Sequence, residues 1–289
     1  MYMNYGVDND DIRPYFEISL SCIVLMFNII EIGMILRIKR GKTIYEKLLI
    51  SLSVADGLFG LTNGLQKVVK LYVSGELRQA IAEISSVIYF FFILSSLQHL
   101  LFISLDRLWA ICSPLRHRVE VTNKRMHIVI GSLWMLTTLL TLATFVDAFL
   151  KNSIEYRRRA FYNSQMAITI LLLISDVLFL ILNVAVMYTI SKKGAPAENE
   201  QVRSQTQAME QTVLRVCTVI TIIFIVFTAP WAIIHLVDSK AQSWTHLLLI
   251  LNSGLNSIVY FFKGYVSKLS CKKLIRSDHV STLTLSRLA

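Results

Sequence analysis

Seven apolar runs divide this chain, at about 16–37, 47–72, 81–108, 127–149, 165–190, 212–237 and 243–262. Each is close to or above the roughly 20 residues an α-helix needs to cross the hydrocarbon core of a bilayer. Polar stretches carrying lysine and arginine separate them. None of the runs alternates with the period of two of a barrel strand. A backbone in lipid must satisfy its own hydrogen bonds, so the pattern predicts helices throughout. The expected fold is an all-α membrane protein, a seven-transmembrane helix bundle. It shows no inverted-repeat symmetry of the transporter kind.

Composition agrees: 54% of the 289 residues are hydrophobic, too many for a soluble surface to cover. The formal net charge of +10 fits loops that face anionic lipid, and nucleic acid is not an expected partner. Orientation follows from Arg37, Lys39, Arg40 and Lys42, which flank the first run on its C-terminal side. They place the N-terminus outside by the positive-inside rule, although Arg157, Arg158 and Arg159 sit on the other side. The expected organisation is an extracellular segment 1–15, a membrane domain 16–262, and an interfacial helix with cytoplasmic tail at 263–289. The segment MYMNYGVDNDDI is acidic and polar, unlike a cleavable signal peptide. After Tyr260, the stretch FFKGYVSKLSCKKLI sets apolar residues against lysines, as a short amphipathic cytoplasmic helix on membrane lipid does.

Polar residues inside the runs are the candidate chemistry. Asp56 lies near mid-membrane, where an unpaired charge costs several kcal/mol, so it must be protonated or hold a cation. Glu31 is either a functional group or a hydrogen-bonded acid facing the bundle. Asp176 is either a ligand or coupling residue or a helix-packing acid. Pro230 is the one proline inside a run and is expected to kink that helix. No catalytic triad, metal-ligand cysteine cluster or phosphate loop is present, so an enzyme is not expected.

The end of the third run reads DRLWAICSPLRH, from Asp106 to His117. It resembles the DRY-x-A-I-x-x-P-L motif of rhodopsin-like (class A) G-protein-coupled receptors. Three further motifs match: LSVADG around Asp56, Pro230 in the sixth run, and Asn256-Ser257-Ile258-Val259-Tyr260, similar to N-P-x-x-Y. Trp134 and Phe224 also have counterparts. The resemblance implies an arginine switch. Asp106 and Arg107 would couple to a heterotrimeric G protein, with Glu210 as the partner of Arg107 in the closed state and Tyr188, Tyr260, Pro230 and Phe224 moving on activation. It also implies a sodium-type site, with Na⁺ as an allosteric ion and no other cofactor, made by Asp56, Asn28, Ser96, Asn252, Ser253 and Asn256. Oxygen donors of that kind suit a hard cation.

The chain departs from the family pattern at Ala82, Leu180, Thr228 and Ser257. Relatives carry there, in turn, a disulfide cysteine, a proline, a toggle tryptophan and a proline. No disulfide is expected among Cys22, Cys112, Cys217 and Cys271. The loop 150–164, which relatives staple, lacks a cysteine. Cys271 is a palmitoylation candidate or a free thiol.

The implied ligand is extracellular: a small molecule, lipid or peptide. Tyr89 replaces the aspartate of amine receptors and Ile250 the lysine of opsins, so neither a monoamine nor retinal is expected. The expected pocket is Tyr89, Phe90, Ile93, Asp176, Trp231, His235 and His246. Lys67, Lys70 and Arg157–Arg159 hint at an acidic ligand, or are ordinary solvated loop charge. The expected function is a plasma-membrane, multi-pass receptor. The alternatives are a receptor-fold decoy or partner with little coupling, and an ion- or proton-coupled transporter.

Overall fold

The computed structural model describes residues 12–37, 44–150, 154–192, 222–234, 236–237 and 246–258. All regular structure among them is helical: α1 (Arg13–Leu36), α2 (Ile44–Tyr72), α3 (Gly75–Cys112), α4 (Pro114–Glu120), α5 (Asn123–Leu150) and α6 (Ile154–Lys192). Two shorter apolar helices follow, α7 (Ile222–Ile234) and α8 (His246–Ile258). Five helices are long and apolar enough to cross a membrane, α1, α2, α3, α5 and α6. With α7 and α8 they account for the seven runs. The short α4 is the addition, in the segment after the Asp-Arg pair.

The buried face of α1 explains why this is a membrane fold. Its buried residues are Pro14, Glu17, Ser21, Val24, Asn28, Glu31 and Ile35, spaced alternately three and four apart, one stripe of a helix. Most of the stripe is polar. The opposite face carries Phe16, Ile23, Met26 and Ile29, all exposed, Met26 by 60%. In water that arrangement is inside out. In lipid it is required, because the bundle interior is the only place polar groups find partners. α1 packs on α2, α2 on α3, and α3 on both α5 and α6. The α1–α2 crossing is close because Gly60 faces it. A Cβ there would meet the Ser21 carbonyl oxygen at 3.1 Å and Val24 Cγ1 at 3.3 Å, the small-residue contact that lets membrane helices approach.

Helix ends follow the sequence. Ser74 is extended and Gly75 has φ +72°, a left-handed conformation open to glycine, so the chain reverses from α2 into α3. Ser113 leaves the helical region at φ −140° because Pro114 disfavours helix in the residue before it. The proline then begins α4, at a position where its missing N–H costs nothing.

One expectation is corrected. Residues 150–164 do not form a loop throughout: α5 reaches Leu150 and α6 already begins at Ile154. The run IEYRRRAFYN has no glycine or proline to stop the helix, and Ala160 and Phe161 are buried. Packing therefore extends the fifth span by about three turns. α6 also runs unbroken through Leu180, where relatives carry proline.

Candidate functional site

The mid-membrane acid is built by α2 and closed by α8. Asp56 is fully buried. Asn256 Nδ2 donates to its Oδ2 at 3.0 Å, and the side chains of Ser96 and Ser253 face the same carboxylate. Asn28 belongs to the same layer. Its Nδ2 donates to the Val24 carbonyl at 2.9 Å and toward that of Ser253 at 3.4 Å. Ser257 Oγ donates to Asn28 Oδ1 at 2.8 Å. The residue replacing the family's proline thus ties α8 to α1. Glu31 joins from the next turn, accepting from Ser53 Oγ at 3.0 Å. It is a hydrogen-bonded acid facing the bundle.

Several buried oxygens in and beside this layer have no hydrogen-bond partner among the described residues: Asp56 Oδ1, Ser96 Oγ, Asn252 Oδ1 and Asn256 Oδ1. The Asp56 carboxylate among neutral oxygen donors, with Glu31 Oε1 likewise without a partner on the next turn, is the donor set of a small hard cation, and the orphaned atoms are where such an ion gains most. The residues present fit the group that the resemblance implies.

At the other end of α3, Asp106 is buried and holds two neighbours. Arg107 donates to its Oδ2 through Nε, at 3.1 Å, and through Nη2. His117 Nε2 meets its Oδ1 at 2.9 Å, brought there by α4. The guanidinium also lies 4.9 Å from the ring centroid of Tyr45 on α2, cation–π range. Trp109 packs edge-on against His117, 5.4 Å between centroids. Arg107 is thus paired with its neighbour in sequence and roofed by an aromatic ring. The shared partner His117 and the roof Tyr45 are roles the sequence reading missed. DRLWAICSPLRH contains His117, but only a helical α4 turns it back toward Asp106.

A third cluster joins α6 to α7. Thr228 Oγ1 donates to Asp176 Oδ1 at 2.8 Å and lies 2.8 Å from the Phe224 carbonyl. Phe224 packs against Phe179, 5.3 Å between ring centroids. Asp176 Oδ2 has no hydrogen-bond partner among the described residues. Thr228, standing in the toggle position, is therefore the partner of the acid whose role was open.

Trp134 is more than packing. Its Nε1 donates to Ser51 Oγ at 3.0 Å. Ser51 lies 2.8 Å from His99 Nε2, and His99 Nδ1 lies 2.7 Å from the Ser95 carbonyl. A carbonyl only accepts, so Nδ1 carries the proton and Nε2 accepts from Ser51. The chain of donors is complete with a neutral imidazole, and it ties α5, α2 and α3 together. His99 was not singled out from the sequence. A lone histidine in an apolar run has no signal until its partners are known.

Of the expected pocket residues, Tyr89, Phe90, Ile93, Asp176 and Trp231 are all buried. Tyr89 stacks on His246 at 5.1 Å and meets Phe59 at 4.9 Å and Phe90 at 5.3 Å, so α2, α3 and α8 share one aromatic layer.

Residues 27–260 match the model of the 7 transmembrane receptor (rhodopsin family). The chain belongs to that family. No curated protein sequence matches it. The receptor is a multi-pass membrane protein of a signalling family and not an enzyme, and its seven spans form the family's helix bundle. Tyr188, proposed for the switch, stands on the outside of α6, 64% exposed. Pro230 lies within α7. Glu210, Tyr260, His235, Cys217 and Cys271 lie outside the described residues, as does the segment 263–289, and the side chains of Arg157 and Arg158 are likewise not described. Cys22 and Cys112 are exposed and unpaired.

Proposed function

We propose that this receptor sits in the plasma membrane with its N-terminus outside. It binds an extracellular ligand that is neither a monoamine nor retinal, and passes the signal to a heterotrimeric G protein through Arg107. The observation that carries the reading is the hold on Arg107 at the end of α3: Asp106 pairs it, Tyr45 roofs it, and His117 braces Asp106 from behind. A buried carboxylate with two cationic or polar partners is favourable only while both remain. Movement of the helices that breaks the arrangement frees a guanidinium for a partner inserted from the cytoplasmic side. Glu210, Tyr188, Tyr260 and a pivot at Pro230 complete this population shift between two packings. The test is nucleotide exchange on a panel of G proteins, screened with ligand libraries against the purified receptor. Ligand-dependent exchange in wild type that Arg107→Ala abolishes supports the reading, and equal exchange in both proteins contradicts it.

The oxygen cluster at Asp56 supports a sodium-type ion as allosteric partner. Asp56, Ser96, Asn252, Ser253, Asn256 and Asn28 would hold it. Bound there, it supplies a positive charge that fixes α2 against α3 and α8.

A second reading, a partner or decoy subunit with little coupling, draws on Thr228. The toggle position carries a small side chain already bonded to Asp176. Receptor shown to be folded at the cell surface but inert toward every G protein and ligand would favour it.

A further inference from the structure

Asp56 has a second acid beside it. Glu31 on α1 is 3% exposed and Asp56 on α2 is fully buried. The two helices are in register around them. A Cβ at Gly57, next to Asp56, would meet Asn28 Cβ at 3.4 Å, and Ser53 Oγ lies 3.0 Å from Glu31 Oε2. Ser53 is one turn before Asp56 and Glu31 one turn after Asn28. The two acids are therefore offset by one helical turn, a rise of about 4.5 Å over three residues. Neither forms an ion pair with a lysine, arginine or histidine among the described residues. Each keeps one buried oxygen without a hydrogen-bond partner among them, Glu31 Oε1 and Asp56 Oδ1. Three neutral oxygens are in the same condition: Ser96 Oγ on α3, and Asn252 Oδ1 and Asn256 Oδ1 on α8. Their residues are 4% exposed or less. Asn256 is placed in the site by its own bond to Asp56 Oδ2, at 3.0 Å.

Charge decides what this donor set holds. Two ionised carboxylates balanced by a monovalent cation leave one negative charge buried and uncompensated, which is costly. A divalent cation balances both. Calcium takes about six to eight oxygens at about 2.3–2.6 Å, so oxygens on opposite sides of it are about 5 Å apart. That span suits the one-turn offset. Calcium also tolerates irregular geometry, as donors drawn from four helices require, whereas magnesium demands a near-ideal octahedron.

We propose that Glu31 and Asp56 together hold one divalent cation of the calcium type, with Ser96, Asn252 and Asn256 as neutral ligands. Glu31 sets the preference, since Asp56 alone balances only a monovalent ion. Bound there, the ion fastens α1, α2, α3 and α8 in one layer. This deepens the reading of Asp56 as an ion site and rests on it.

The test is equilibrium binding of radioactive calcium to the purified full chain in nanodiscs of zwitterionic lipid. Thermal unfolding in sodium chloride, calcium chloride and choline chloride at equal ionic strength accompanies it. Wild type is expected to bind calcium saturably and to unfold at a higher temperature in its presence, because a ligand of the folded state stabilises it. Glu31→Gln keeps the shape and removes the charge. It should weaken calcium binding by about tenfold or more, since affinity follows the count of charged ligands. Its rise in unfolding temperature with sodium should remain, which also shows that the variant is folded. Wild type that responds to sodium but binds no calcium overturns the proposal and leaves the ion reading of Asp56 standing. Calcium affinity unchanged in Glu31→Gln, or sodium and calcium responses lost together, overturns it as well. Folded wild type indifferent to both cations contradicts both readings.

Discussion

Thr228 on α7 donates its hydroxyl proton to Asp176 on α6 at 2.8 Å, both side chains buried. The family pattern carries a tryptophan at the threonine's position. Here a threonine and an aspartate take up the junction of the fifth and sixth spans, and each explains the other. Thr228→Val keeps the shape and deletes the donor, leaving the carboxylate without its partner. The expected loss is about 0.5–2 kcal/mol, the range for hydrogen bonds inside membrane proteins. A double-mutant cycle with Asp176→Leu, read by thermal unfolding in detergent, checks it. The pair should couple, with the double variant less damaged than the sum of the singles. Strict additivity would show the bond to be idle.

Ser51 is the middle of the Trp134–Ser51–His99 chain. Ser51→Ala strands an acceptor on His99 and a donor on Trp134 at once. The expected cost is about 1–3 kcal/mol, more than a single lost hydrogen bond. Ser51→Thr, which keeps the hydroxyl, should retain most of the stability. Unfolding temperatures of the two variants compared with wild type decide the point.

The oxygen cluster around Asp56 predicts a specific salt effect. Wild-type receptor should unfold at a higher temperature in sodium chloride than in choline chloride at equal ionic strength. That difference should vanish in Asp56→Asn, because a ligand bound to the folded state stabilises it by mass action. Equal unfolding temperatures of the wild type in the two salts would remove the ion from the account.

How much was legible before the coordinates depended on range. The seven runs were plain because lipid imposes one pattern on every span. Asp56, Asn256 and Asn28 were found through short motifs and do lie in one layer. Glu210 is the partner the motif implies for Arg107 and lies outside the described residues; the Tyr45 ring over Arg107 and the His117 contact with Asp106 carry no signal in the sequence. His117 reaches Asp106 only because Pro114 restarts the chain as α4, and Tyr45 is distant in sequence. Glu17 has no motif to mark it, since its partners Lys67 and His246 come from two other helices. Residues 150–164 fall between two apolar runs and so read as a loop in the sequence. Their lack of glycine and proline, with Ala160 and Phe161 to bury, made 154–164 helix.

In the proposed mechanism Asp106 restrains Arg107, and that restraint is the switch. The direct measurement is basal nucleotide exchange on a responsive G protein by wild type, His117→Ala, Asp106→Asn and Asp106→Asn with Arg107→Ala. Removing the brace should raise basal exchange severalfold, the effect of about 1 kcal/mol on a two-state equilibrium. Removing the partner should raise it further, and removing the arginine as well should abolish it. Basal exchange that stays at the wild-type level in Asp106→Asn, or survives in the double variant, would contradict the account.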